Sequence, residues 1–151
     1  MKRAGFTMIE LIFVIVILGI LAAVAIPKLA ATRDDAKIAK MSTNLATAIS
    51  DVGARYTSQG TLSGDKWSDV TNVPLQTSAT GMADASGTGV TTKVYINSDA
   101  SHSCFTLTAT ADGNLTVAAG ADTTGTVCKN AQLKSKSMIK THEFGGVGVV
   151  Q

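Results

Sequence analysis

Phe6 to Ile26 reads FTMIELIFVIVILGILAAVAI, a run of about twenty mostly apolar residues, and no other feature narrows the choice of folds as far. As a helix it rises about 30 Å, enough to cross the hydrocarbon core of a bilayer. Lys2 and Arg3 stand just before it. The positive-inside tendency therefore puts the start of the chain in the cytoplasm and the rest outside, with Lys28 and Arg33 pulling the other way. An ordinary signal peptide has a shorter apolar region followed by a small-residue cleavage site. The Ala22-Ala23-Val24-Ala25 run could mimic such a site. The span is too long for that reading, and the helical pattern continues through Pro27.

Glu10 is the anomaly, a carboxylate near the start of an apolar span. Ionisable side chains in such segments are costly and point to function. No cation lies within helical reach inside the span, so its expected partner comes from another chain or is created by processing. A cut between Gly5 and Phe6 creates one. The new α-amine of Phe6 is largely protonated at neutral pH and sits at about the depth of Glu10 in a staggered neighbour.

Formal charge is +2, from 13 Lys and Arg against 11 Asp and Glu; removal of Lys2 and Arg3 leaves 11 against 11. A neutral product gives no composition-level argument for nucleic acid or acidic lipid as its main partner, since counterion release needs a basic face. DNA stays possible but unsupported: Lys129, Lys134, Lys136 and Lys140 form a local patch with no interleaved aromatics, which reads as a solvated surface. Cys104 and Cys128 are far apart, with no neighbouring His and no CxxC spacing. A disulfide in an oxidising compartment is their simplest use, the alternative being two buried free thiols. No metal site is expected.

With these residues in view, AGFTMIELIFVIVILGILAAVAIP resembles the start of type IV pilins and of the pseudopilins of type II secretion and DNA-uptake machines. Gly5, Phe6, Thr7, Met8, Ile9 and Glu10 match the family's processing motif in type and spacing. The resemblance implies a peptidase that cuts after Gly5 and methylates the Phe6 amine, which keeps its charge. It also implies assembly through Phe6, Thr7 and Glu10 without any cofactor. The implied partners are identical or related subunits, a prepilin peptidase, and an inner-membrane platform driven by a cytoplasmic ATPase. In resembling filaments the segment from a Gly to a Pro can unwind on assembly, and here that span is Gly19 to Pro27. A disulfide-bounded loop near the C terminus is common in such pilins, and Cys104 and Cys128 are placed to form one.

Beyond Pro27, Ile38, Met41, Leu45, Ile49, Val52 and Tyr56 recur in steps of three and four, one apolar stripe along a continuing helix. The Asp51 to Arg55 spacing allows an ion pair on that helix, and Gly60 is a stop signal. From Phe6 to about Ser58 the helix would be about 80 Å long. From Gly60 to about Thr91 the chain reads as a long Thr/Ser/Gly-rich connecting loop with room for one short helical turn, Trp67 and Val70 being its main apolar marks. Strands are expected over Lys93 to Asn97, Cys104 to Ala111, Leu115 to Ala118 and Met138 to Phe144, with a hairpin at Asp112-Gly113 and a flexible tail from Gly145 to Gly148. The expected fold is α+β, a long N-terminal helix packed on a small antiparallel sheet. Its expected divisions are residues 1–5 as leader, 6–27 as membrane and assembly helix, 28–58 as its amphipathic half, and 59–151 as head.

An enzyme is not expected. His102 and His142 are the only histidines, and neither GxSxG nor HExxH occurs. Asp112 and Asp122 form no compact calcium-ligand series. Asp112-Gly113-Asn114-Leu115-Thr116 resembles an acidic glycosylation sequon, but the Asp-Gly hairpin turn alone explains the local chemistry and is the favoured reading. The alternatives are a secretion or DNA-uptake pseudopilin and, in another class, a binding domain on a permanent single-span anchor.

Overall fold

The computed structural model describes residues 5–121 and 125–145. Lys2 and Arg3 of the expected leader, Asp122, and Gly146 to Gly148 of the expected tail lie outside the described residues. Two compact units divide the chain, Met1–Ala36 and Lys37–Gln151. The first contains the start of helix α1 (Met8–Gln59), which runs unbroken through Gly19 and Pro27. Every described residue of this unit is exposed, and the helix is long and apolar enough to cross a membrane.

The second unit holds the rest of α1, then α2 (Trp67–Val70), β1 (Val94–Asp99), β2 (His102–Ala109), β3 (Asn114–Ala119), α3 (Thr126–Lys134), a 3-10 turn (Lys136–Met138) and β4 (Thr141–Glu143). The strands form one antiparallel sheet in the order β1-β2-β3-β4, so each pairs with its neighbour in sequence. Leu107 lies between Val94 and Val117, and Phe105 lies between Ile96 and Ala119. Because strand side chains alternate in direction, this register gathers Val94, Ile96, Phe105, Leu107, Leu115 and Val117 on one buried face. They share a core with Ile38, Met41, Leu45, Ala48 and Val52 of α1. The helix stripe is as the spacing predicts, except that Ala48 is fully buried while Ile49 and Tyr56 pack at its margin.

The connection from Gly60 to Thr91 is more than a polar loop: Leu62, Trp67, Leu75, Ala85 and Val90 all enter the core. Its attachment to α1 corrects the expected Asp51 to Arg55 pair. Arg55 instead grips Asp65 with two hydrogen bonds, Nε to Oδ2 at 2.9 Å and an NH2 nitrogen to Oδ1 at 2.8 Å. Asp51 accepts from Thr71 Oγ1 at 2.6 Å. The planar guanidinium satisfies both carboxylate oxygens at once, a geometry that an i,i+4 contact on one helix face rarely gives. The hydrogen bonds from Arg55 hold the Asp65 carboxyl below its ordinary pKa.

The expected strand from Met138 to Phe144 is also corrected. Only Thr141–Glu143 pairs with β3, behind the 3-10 turn. The preceding α3 was not expected. Its buried side is Cys128, Ala131 and the following Ser135, helical spacing built from small residues rather than large apolar ones. Cys128 is joined to Cys104 of β2 with the Cα atoms 4.7 Å apart, both residues fully buried, and Gln132 Nε2 donates to the Cys104 carbonyl at 2.9 Å.

Two glycines fix turns. Gly60 ends α1 at φ +74°, and Gly113 sits in the β2–β3 hairpin at φ +83°, where a Cβ would stand 2.5 Å from the Tyr56 ring. Nothing lies within 4 Å of a Cβ on Gly60. Gly60→Ala is expected to cost about 1 kcal/mol, the left-handed backbone penalty alone. Gly113→Ala adds a ring clash and should cost about 2 kcal/mol or more in urea unfolding. Reducing the Cys104–Cys128 bond should remove about 3 kcal/mol, and thiol labelling of native, non-reduced protein should find no reactive cysteine. Because its folded pKa is depressed, Asp65 contributes stability above its ordinary value of 3.8 and loses it as pH falls through the lower folded value. Asp65→Asn should therefore flatten the acid limb of the stability profile below about pH 4.

Candidate functional site

Gly5, Phe6 and Thr7 precede the helix in non-helical backbone. All three are exposed, Phe6 at 91%, and no atom lies within 4 Å of a Cβ placed on Gly5. The Gly5–Phe6 peptide bond is thus exposed and outside the helix.

Thr7 and Glu10 meet one turn apart. Glu10 Oε2 accepts from the Thr7 backbone N–H and from Thr7 Oγ1, both at 2.8 Å. In return the Glu10 N–H points to Thr7 Oγ1 at 3.4 Å. This is a capping box, which satisfies helix-terminal N–H groups reciprocally and sets the helix start. The Leu11 N–H bonds to the Thr7 carbonyl at 3.3 Å, closing the first turn. Thr7 is thus a hydrogen-bond partner of Glu10 within the chain, in addition to the charged partner expected from another one. The signal was legible as Thr7-x-x-Glu10, the spacing of a capping box before an apolar run.

Every side chain of the apolar span that follows is exposed. Phe13, Ile15, Leu18, Ile20, Leu21 and Leu29 are all more than half exposed. Gly19 has no atom within 4 Å of its Cβ position and Pro27 lies inside α1, with helix on both sides of each.

Titratable groups elsewhere form local pairs. His102 Nδ1 lies 2.6 Å from Asp99 Oδ1, and the Ser101 backbone N–H, more than the imidazole, holds the Asp99 carboxyl below its ordinary pKa. His142 Nε2 lies 2.9 Å from the Met138 carbonyl, and the His142 and Phe144 rings stack with centroids 6.3 Å apart. A groove of about 330 Å³ beside α1 is lined by Lys37, Lys40, Met41, Gln76, Met82 and Asn97, among others. It assembles amides, lysines and thioethers, with no carboxylate or imidazole opposite them. Asn114 opens β3 half-buried, its backbone N–H bonded to Thr110 Oγ1 at 3.2 Å, while Thr116 Oγ1 is paired with Thr141 Oγ1.

The exposed Gly5–Phe6 junction, the capped Glu10 and the uncovered helix lie in one stretch, and that stretch matches a known family. Residues 1–26 match the prokaryotic N-terminal methylation motif. No curated protein and no solved structure matches the chain. Over residues 1–26 the chain therefore carries the prepilin motif of type IV pilins and pseudopilins.

Proposed function

We propose that this chain is a structural subunit of a type IV pilus-like filament, with no catalytic role of its own. The observation that carries the reading is the continuity of the N-terminal methylation motif with the exposed apolar span, Met8 to Leu29, at the start of α1. On this reading residues 1–5 are a leader, and prepilin peptidase cuts after Gly5 and methylates Phe6. The span from 6 to 27 first holds the subunit in the inner membrane as a single pass. It then moves into the filament core beside the same span of identical or related subunits, loaded by an inner-membrane platform with its cytoplasmic ATPase. The buried disulfide agrees with export of the second unit to an oxidising compartment.

Glu10 has a role at each stage. Before assembly, Thr7 supplies its hydrogen bonds. During assembly, the methylated Phe6 amine of a neighbour supplies the positive charge and favours one stagger between chains. The helix between Gly19 and Pro27 is the segment proposed to unwind, because glycine and proline are its two weakest interior residues.

Glu10→Gln keeps the size of the side chain and removes its charge. It should still be cleaved after Gly5, yet reduce the amount of subunit recovered in sheared filaments by about tenfold or more. Normal filament yield from Glu10→Gln and from Glu10→Ala would overturn the charge-pair account. Thr7→Val removes the hydroxyl at nearly constant volume and should weaken the helix start by about 1 kcal/mol, read as faster amide exchange over the first helical turn.

A further inference from the structure

The region from Gly125 to His142 contains four lysines and no Asp or Glu. Lys129, Lys134, Lys136 and Lys140 are all exposed, and among the described residues none is in an ion pair. Helical geometry places Cys128, Ala131 and Ser135 toward the core and turns the opposite side of α3 to solvent. At the middle of that outer side is Leu133, 63% exposed, one turn after Lys129 and flanked by Lys134. Among the described residues of the second unit only Met82 is a comparably exposed large apolar residue. The disulfide and the Gln132 bond to Cys104 make this face rigid. Ser135 Oγ bonds to Ser42 Oγ at 3.0 Å, which holds the basic segment against the part of this unit's helix nearest in sequence to the apolar span.

We propose that the outer face of α3, together with the exposed Lys136 and Lys140 that follow it in sequence, is a docking surface for anionic phospholipid headgroups, with the lysines on the phosphates and Leu133 entering the interface. The inference rests on the reading of α1 as a membrane span. That span keeps the second unit tethered near a lipid surface, so even a weak contact is made at high effective concentration. A cluster of lysines attracts anionic lipid, and a central leucine gains from an apolar boundary. Nucleic acid offers Leu133 nothing, and the face lacks the arginines and aromatics that grip phosphates and stack bases. Docking would hold the unassembled subunit to the membrane, and it would be given up when the subunit leaves the bilayer for a filament.

The test uses the full chain in vesicles of phosphatidylcholine, alone or mixed with phosphatidylglycerol, with bromine on the lipid acyl chains. Trp67 is the only native tryptophan and is 1% exposed, so it serves as the unquenched reference and as a check of folding. In Leu133→Trp, the added fluorescence should be quenched in the anionic vesicles, and the quenching should fall at high salt and in zwitterionic vesicles. Each Lys→Gln change among the four lysines should lower the docked-to-undocked ratio by about fivefold. Equal quenching in both lipids, or none in either, would overturn the proposal. So would salt-sensitive capture of duplex DNA by the zwitterionic preparation, lost with the lysines, if anionic lipid gave no quenching. Neither cleavage nor polymerisation is needed, and flotation with zwitterionic vesicles reports insertion of the span independently. Failure of the membrane and filament reading is thereby separated from failure of docking.

Discussion

The apolar side chains from Phe6 to Leu29 are exposed, and the rest of the architecture follows from that. A patch of this extent is far larger than a water-soluble monomer normally exposes. The second unit has a core of its own, built from its sheet, the C-terminal half of α1 and the connection from Gly60 to Thr91. Two environments satisfy such a helix. One is a bilayer; the other is a bundle of identical helices. A subunit proposed to pass from the first to the second needs both an exposed apolar span and a device that selects the stagger.

Glu10 is proposed as that device, and its local geometry explains how a carboxylate can be tolerated there. In the single chain, Thr7 donates two hydrogen bonds to Oε2 and receives one from the Glu10 amide. The capping box is a local feature of the helix start, so it forms whether or not a neighbour is present. A neighbouring amine would add charge compensation to a carboxylate that is already oriented. The resulting preference is for one register among many apolar alternatives that packing alone distinguishes poorly.

Much of this was legible in the sequence because its signals are periodic or local. The apolar run, the stripe from Ile38 to Val52, Gly60 as helix stop and the Asp112-Gly113 hairpin all express backbone rules that hold regardless of what lies far away in the chain. The features that were missed depend on distant partners or on weak periodicity. Arg55 turned from Asp51 to Asp65 because the connection presents a carboxylate to both sides of the guanidinium fork. Helix α3 was hidden because Cys128, Ala131 and Ser135 are small, and their burial comes from the disulfide and the sheet rather than from hydrophobicity. Strand β4 shrank to Thr141–Glu143 because Met138 and Ile139 belong to a 3-10 turn and the residue that follows it. At the candidate site the Thr7-x-x-Glu10 capping contact was legible as a local spacing, whereas a partner for Glu10 in another chain is not something a single chain displays.

The most direct test of the central claim is mass analysis of the N terminus, made on protein from the native membrane and from any sheared surface fraction. Processing as a filament subunit predicts a chain that begins at N-methylated Phe6 in both. A chain that still begins at Met1, under conditions where the prepilin peptidase is active, would contradict it and leave a permanently anchored domain.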